Sequence, residues 1–334
     1  MIDKSSSIVI ALCMDANSNQ AQAKPLTNAE FYTLLAAIDE YNGTAGPKQL
    51  NMFSDPAKRF DFEYLLEVES DFLVQEIGLK KELADKTVAL LRRVNSLVFE
   101  IEGLDGQSIK LCTIFDEGYP RRLKESLSCM PNSLREPPVL YCCGDISIAK
   151  HSFAGFVGMR EISEDDAAWT RDAVWKIHQK AENENKIFGV VSGGSEGVDR
   201  ISEDAAIEKK MPVIEFSKNM RVTLRESRCI DAIMNNDMLL LSEINPLRTL
   251  SRAEATAHFM NRNKFIYAIS DYTVVVRSGI GANSGTWAGA SEALARNISK
   301  VFVRDIDCEG NRELIKRGGI PYTDQSAACG TPSD

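Results

Sequence analysis

The chain has 334 residues, 44% of them hydrophobic and 26% charged, which is ordinary for a globular protein of about two domains. A net charge of −9 argues against nucleic-acid binding through bulk charge alone, although a local basic groove remains possible. The apolar run Ile8–Met14 is shorter than the roughly 20 residues that cross a bilayer, and it lacks the basic flank of a secretory signal. We therefore expect a cytoplasmic protein without membrane contact.

The cysteines and histidines predict neither a disulfide framework nor a metal site. The eight cysteines are scattered, only Cys142 and Cys143 are adjacent, and the three histidines are isolated in the sequence. Metal sites need clustered ligands, so this pattern is typical of reduced, mostly buried thiols. We expect no metal and no cofactor.

Residues 1–105 are predicted to form a small helical domain. Thr27 and Glu30 have the spacing of a capping box, in which the two side chains bond to each other's backbone N–H groups. The segments Asp61–Val68 and Ile77–Val98 continue the helical pattern. Small helical modules of this kind are usually structural or interaction units, and we assign no chemistry to this one.

Residues 106–320 are predicted to form an α/β domain, an extended Rossmann-like parallel sheet with helices on both faces. Short apolar runs alternate here with amphipathic helical stretches, and near-continuous apolar strands are typical of parallel sheets. The predicted strands are Phe153–Val157, Ile187–Val191, Pro212–Phe216, Met238–Leu241, Thr273–Val276 and Lys300–Val303. The predicted helices are Glu164–Asn183, Gly197–Lys209, Leu224–Met234, Arg252–Ile269 and Gly285–Arg296. The last residues, 321–334, are predicted to be a disordered tail.

Three loops that follow predicted strands are candidate binding elements, because ligands of such sheets bind beyond the carboxyl ends of the strands. The loops are 158–160, 192–199 and 278–286. Their glycines let backbone N–H groups approach an anion, and each loop leads into a helix N-terminus. The candidate residues are Gly158, Arg160, Ser192, Gly193, Gly194, Gly197, Ser284, Gly285 and Thr286. One such loop would be explained by the geometry of a tight turn, but three at one sheet edge favour an anion or nucleotide site.

The spacing of these glycines matches neither the P-loop nor the dinucleotide-binding fingerprint. Two other segments add positive charge. Between residues 209 and 228 stand six cations against two acids, and a solvated helix face is the simplest interpretation, although Lys218 and Arg221 are candidates for an anion contact. Residues 259–264 bring Arg262, Asn263 and Lys264 just before an apolar helical stretch, where either a charged helix start or a polyanion contact fits.

Several segments between Cys112 and Gly319 resemble, in their order, the DprA/Smf family of DNA-processing proteins. They are Asp116–Leu123, Pro137–Tyr141, Gly158–Arg160, Ser192–Asp199, Leu241–Glu243, Phe259–Lys264, Asn283–Thr286 and Gly310–Gly318. The chain departs from the family pattern at Met159, where the family has serine, and at Ser195, where it has alanine. A third departure is Ser217–Arg221, which stands where a glycine-rich turn and a Tyr-Pro step are expected. The chain therefore resembles a divergent member.

The resemblance implies a fold, a ligand and partners. It implies an extended Rossmann fold, often dimeric, that binds single-stranded DNA and helps to load a RecA-type recombinase during transformation. It also implies that Arg160, Ser192, Gly193, Arg262 and Lys264 lie at the DNA phosphate site. The helical N-terminal part is similar to the small helical domain that precedes the sheet in many members.

Two other functions remain open besides a non-enzymatic single-stranded-DNA binder. The first is a nucleotide sensor, or an enzyme that cuts a glycosidic bond, of the LOG type, possibly in defence against foreign DNA. LOG-type phosphoribohydrolases share the fold but have a glutamate three residues after Gly-Thr, where this chain has Gly289. The second is an interaction adaptor in which the sheet is only a scaffold.

Overall fold

The structure, a computed structural model, describes residues 3–15, 24–44, 60–281 and 284–322, and they form two compact units. The first unit comprises Met1–Tyr119 and Ser128–Leu140, and the second comprises Pro120–Leu127 and Tyr141–Asp334. Residues 106–119 thus group with the helical part, and the domain boundary after residue 105 stays a prediction. The predicted tail lies outside the described residues from residue 323 onward, whereas residues 321 and 322 belong to a strand.

The first unit is mainly helical, as expected. Its helices are α1 (Lys4–Cys13), α2 (Asn28–Thr44), α3 (Ser70–Gln75), α4 (Lys81–Leu91) and α5 (Val98–Asp105), and its strand is β1 (Lys110–Thr113). The predicted capping box is present: Thr27 N–H donates to Glu30 Oε2 over 2.8 Å, and Glu30 N–H donates to Thr27 Oγ1 over 3.3 Å. The predicted helix 77–98 is interrupted after α4, where the buried Arg93 side chain donates from Nε to the carbonyl of Ala11 over 2.7 Å.

The second unit contains the alternating strands and helices. The strands are β2 (Val139–Cys143, of which the first two residues group with the first unit), β3 (Ser152–Val157), β4 (Phe188–Ser192), β5 (Val213–Phe216), β6 (Met238–Ser242), β7 (Tyr272–Val275), β8 (Lys300–Arg304) and β9 (Ile320–Tyr322). The helices are α6 (Arg121–Leu127), α7 (Glu164–Asn183), α8 (Val198–Glu208), α9 (Met220–Thr223), α10 (Ser227–Met234), α11 (Arg252–Ile269), α12 (Gly285–Arg296) and α13 (Glu309–Lys316). The predicted helix Leu224–Met234 corresponds to α10, which begins three residues later, at Ser227; the short helix α9 just before it was not predicted. None of the described helices is long and apolar enough to cross a membrane.

The sheet of the second unit has the strand order β2-β6-β5-β4-β3-β7-β8-β9. Neighbouring strands from β6 to β9 are parallel, and only β2 is antiparallel to its neighbour, with Tyr141 opposite Ser242. The chain runs from β3 through β4 and β5 to β6 on one side and then returns to β7 on the other side of β3. The carboxyl ends of β3 and β7 therefore form the switch point at which such sheets bind ligands. The extended Rossmann-like fold is confirmed.

The ends of the sheet differ from its centre. Most apolar side chains on β3 to β8 are buried, and they form the core of this unit together with the apolar faces of the helices. At the end of the strand order lies β9, three residues long, with Pro321 in register with Val303 of β8.

Candidate anion-binding pocket

A pocket of about 430 Å³ opens at the carboxyl ends of β3, β4 and β7. Three stretches line it: the end of β3 with its following loop, the second glycine loop, and the start of α12 with the loop before it. Helix α11 closes one side. The charged and polar residues of the lining are Arg160, Glu161, Ser195, Asp199, Arg262, Asn263, Ser284 and Thr286, and Phe259 and Tyr267 contribute aromatic rings.

Arg262 is the most deeply buried cation of the pocket. Its exposed fraction is 2%, and its Nη1 donates to the carbonyl of Gly193 over 2.8 Å. Its Nη2 donates to Ser195 Oγ over 3.3 Å, and its guanidinium lies 4.8 Å from the ring centre of Phe259. Burial lowers the pKa of Arg262, and the nearby carboxyl of Asp199 acts in the opposite direction. The second loop therefore fixes a desolvated positive charge at the pocket wall, with Nε having no hydrogen-bond partner among the described residues.

Asp199 is the counter-charge of Arg262. Burial raises the pKa of Asp199 to about 7, although Arg262 and the backbone N–H of Ser195, 3.3 Å from Oδ2, favour the charged form. A pKa in this range lets the carboxyl change its charge near neutral pH. The net charge of the pocket wall consequently depends on pH in the physiological range.

Arg160 is exposed at the mouth of the pocket. Its guanidinium lies 5.7 Å from the ring centre of Phe259, the same ring that contacts Arg262, and it has no ion pair with any described residue. Two glycines allow the loops to meet here. A Cβ at Gly158 would lie 2.3 Å from Val198 Cγ2, and a Cβ at Gly197, where φ is +81°, would lie 2.3 Å from the carbonyl oxygen of Met159. Without these glycines the first and second loops would separate.

The polar residues of α11 and α12 bind the loops to one another. Asn263 Nδ2 donates to the carbonyl of Gly285 over 3.2 Å, and Thr286 Oγ1 donates to the carbonyl of Gly158 over 2.9 Å. Ser284 caps α12 by accepting the Trp287 N–H over 3.2 Å. These predicted residues do lie together, and they hold the pocket in shape.

Other predicted residues lie outside the pocket lining. Ser192 is buried, and its Oγ donates to Glu203 Oε1 over 2.5 Å. Gly193 and Gly194 form the turn behind the wall, with the Gly193 carbonyl held by Arg262. Lys264 is buried away from the pocket, with its Nζ 4.9 Å from the ring centre of Phe265.

Residues 110–329 match the model of the family described as DNA recombination-mediator protein A. The chain belongs to this family. No curated protein matches it. The family resemblance drawn from the sequence is thereby confirmed.

Two solved structures of this family's proteins are similar to the chain. The X-ray structure of DNA processing protein A from Streptococcus pneumoniae is 18% identical with a TM-score of 0.61, covering 92% of this chain and 99% of that one. DNA processing protein A from Helicobacter pylori, whose structure concerns a single-stranded-DNA binding mode, is 22% identical with a TM-score of 0.50, covering 65% of this chain and 93% of that one. At these identities the structural similarity is evidence for the fold alone.

In this family member, Lys218 and Arg221 lie in a second depression, which we call the basic groove. It has a volume of about 490 Å³ and lies at the carboxyl ends of β5 and β6. Its lining includes the cations Lys218, Arg221, Arg225 and Arg248, together with Asn245 and the buried His258. His258 Nδ1 is 2.7 Å from Glu243 Oε1. The sequence placed Lys218 and Arg221 with the other candidates, whereas the structure places them in this separate groove.

A buried acid pair lies behind the second loop. Glu203 and Glu215 are both buried, and Arg228 Nη2 approaches them at 2.9 and 4.0 Å, respectively. Burial, and then the charge of Glu203, raises the pKa of Glu215 to about 8. Gly194, with φ at +64°, lies against Glu215, because a Cβ there would be 2.4 Å from Glu215 Cδ. Arg228 is therefore an internal ion-pair partner and not part of a solvated basic face.

Proposed function

We propose that the chain binds single-stranded DNA, with DNA phosphates at Arg160 and Arg262, and catalyses no reaction. The observation that carries the proposal is the pair of guanidinium groups on one Phe259 ring, one buried and fixed, the other exposed and unpaired among the described residues. Guanidinium groups bind phosphate oxygens in bidentate geometry. Membership of the DNA recombination-mediator family and the DNA-binding relative from Helicobacter pylori support the choice of ligand.

The contacts available in the pocket favour binding that does not depend on DNA sequence. Cationic side chains and backbone groups bind phosphates, which position a strand but carry no sequence information. A single strand leaves its bases free to stack, and stacking tolerates every base. We therefore expect little sequence preference and a strong dependence of affinity on salt.

The test is fluorescence anisotropy of a labelled oligonucleotide across a salt series. The logarithm of affinity should fall linearly with the logarithm of salt, with a slope of about −0.7 for each phosphate contacted. Arg160→Ala should weaken binding by about 1.5–3 kcal/mol, the range for hydrogen bonds to charged groups. Lys300→Ala removes an equal charge at the start of β8, at the opposite sheet edge, and should bind as the wild type does. A folded wild type that binds no oligonucleotide at low salt overturns the proposal.

The family resemblance supports a finer role for this binding. We propose that the chain acts in DNA uptake and recombination, as a homodimer that helps to load a RecA-type recombinase on the bound strand. Sedimentation at rising protein concentration tests the dimer. The loading of the recombinase is tested by measuring the rate of filament assembly on DNA coated with a single-strand-binding protein, with and without the chain. An assembly rate that the chain leaves unchanged would refute the proposal.

A small nucleotide is the second candidate ligand, because the pocket volume of about 430 Å³ lies in the range of small-molecule sites. Hydrolysis is less well supported than sensing. Gly289, which stands where LOG-type enzymes have glutamate, packs against α11, and a Cβ there would lie 3.2 Å from the Tyr267 ring. Glu292 is paired with Arg296 at 3.0 Å. Thermal-shift assays with mononucleotides, followed by competition against the oligonucleotide, separate the two ligands.

A further inference from the structure

The basic groove presents three exposed cations without counter-charges. Lys218, Arg221 and Arg225 all line the groove, and none has an ion pair with a described residue. The acids nearest in sequence are used elsewhere. Glu215 is buried in the acid pair, and Glu226 is bound to Arg200, with Oε1 3.1 Å from Nη2. The positive charge of the groove is therefore not neutralised by the chain's own neighbouring carboxylates.

Local packing orients these cations outward. Met220 and Thr223 are buried, and Thr223 Oγ1 donates to Glu215 Oε1 over 3.0 Å. These two contacts anchor the short helix α9 to the sheet edge, so Arg221 and the residues around it are left on the solvent side. The backbone that carries these cations is thus held in place at the sheet edge.

The groove and the pocket lie along the same edge of the sheet. The groove is at the ends of β5 and β6, the pocket at the ends of β3, β4 and β7, and the order β6-β5-β4-β3 makes these strands neighbours. Strands in a sheet are about 4.8 Å apart, so three spacings amount to roughly 14 Å. Helix α11 lines both sites, with His258 on the groove and Phe259 on the pocket.

We propose that the basic groove binds phosphates of the same nucleic-acid strand that occupies the pocket, beyond the nucleotides held there. This inference rests on the proposed function. A mononucleotide in the pocket would leave the three cations unpaired, whereas a polyanion laid along the sheet edge neutralises both sites at once. The groove thus lengthens the strand that the chain holds and adds to the number of counterions released.

The experiment compares oligothymidylates of increasing length, from about 2 to about 20 nucleotides, a range that brackets the site sizes of single-strand binders. The test variant is Lys218→Gln/Arg221→Gln/Arg225→Gln. The control is Lys150→Gln/Lys186→Gln/Lys300→Gln, which removes the same charge just before β3 and β4 and at the start of β8, at the opposite edge of the sheet. Thermal unfolding of all proteins verifies that each variant is folded.

The expected result depends on oligonucleotide length. The test variant should bind the shortest oligonucleotides as tightly as the wild type but the long ones about tenfold or more weakly, with a salt slope shallower by about 2 units, or about 0.7 for each lost phosphate contact. The control should follow the wild type at every length. Arg160→Ala should weaken binding at every length.

The unfavourable outcomes separate the two proposals. If the wild type binds and the test variant keeps its affinity and salt slope on long oligonucleotides, the groove is not a contact, while the pocket proposal stands. If the test variant binds short and long oligonucleotides equally more weakly than the wild type, the proposal of an additional contact is also wrong, because such a result indicates a general effect of lost charge. If the wild type binds no oligonucleotide, the proposed function fails and the groove proposal fails with it.

Discussion

Replacing Glu215 with glutamine should make the second unit more stable at alkaline pH. The exposed fraction of Glu215 is 2%, and its carboxyl has a pKa raised to about 8 by burial and by the neighbouring Glu203. Glutamine has the same shape, keeps an acceptor for Thr223 Oγ1 and never ionises. The substitution therefore removes a titration while leaving the packing in place.

The magnitude follows from the difference between the ordinary pKa of 4.5 and the raised value of about 8. In this window the folded chain holds a proton that the unfolded chain has released, so the free energy of unfolding falls as the pH rises. The slope for one proton is about 1.4 kcal/mol per pH unit, and the full window amounts to about 5 kcal/mol at most. Below about pH 4.5 Glu215 has no effect on the pH dependence, and above about pH 8 the full reduction in the free energy of unfolding is present. Glu215→Gln should gain on the wild type progressively from about pH 5 to about pH 8.

Urea unfolding at a series of pH values measures this gain. Tryptophan fluorescence reports the second unit alone, because all three tryptophans lie in it. Glu208→Gln, an exposed glutamate of α8, is the matched control and should follow the wild type across the series. A Glu215→Gln variant whose unfolding free energy keeps a constant offset from the wild type at every pH would show that Glu215 does not titrate in this window, and the reasoning would be refuted.

Two further perturbations test the pocket. Gly158→Ala places a methyl group 2.3 Å from Val198 Cγ2, and this clash should lower the free energy of unfolding of the second unit by about 1–3 kcal/mol in urea. The control is Gly43→Ala, whose added methyl group has no atom within 4 Å and should cause no steric destabilisation. Oligonucleotide affinity should fall as the pH rises through about 7, because the carboxyl of Asp199 ionises and offsets the positive charge of Arg262. The variant Asp199→Asn should bind without this pH dependence. If its pH profile is the same as that of the wild type, Asp199 is not the source of the dependence.

The central strands were predictable because each is a mostly apolar run in the sequence. The predicted strands β3 to β8 agree with the structure to within a residue or two at each end. The flanking strands β1, β2 and β9 were not predicted. Strand β2 contains two adjacent cysteines, and its antiparallel pairing with β6 joins residues about one hundred positions apart. Short runs carry little periodicity, and such long-range pairing leaves no local signal.

The site was predictable in its loops but not in its side-chain directions. The structure brings the predicted residues Arg160, Arg262 and Asn263 together in the pocket lining, whereas Lys264 lies outside it. Residues two apart on a helix point about 200° from each other, so Arg262 and Lys264 of α11 cannot both face the pocket. Asp199 was named only as the last letter of a motif. Its role as counter-charge appears once the burial of Arg262 is known, and burial is a property of tertiary packing.

The last strand of the sheet has a consequence for assembly. In the described part of the chain β9 ends the strand order, and it combines a length of three residues with a central proline. Proline has no N–H to offer a new neighbour, and short, proline-bearing margins discourage the pairing of exposed strands between molecules. A second copy is therefore not expected to extend the sheet at the β9 margin. The same feature protects this margin against fibre-like stacking.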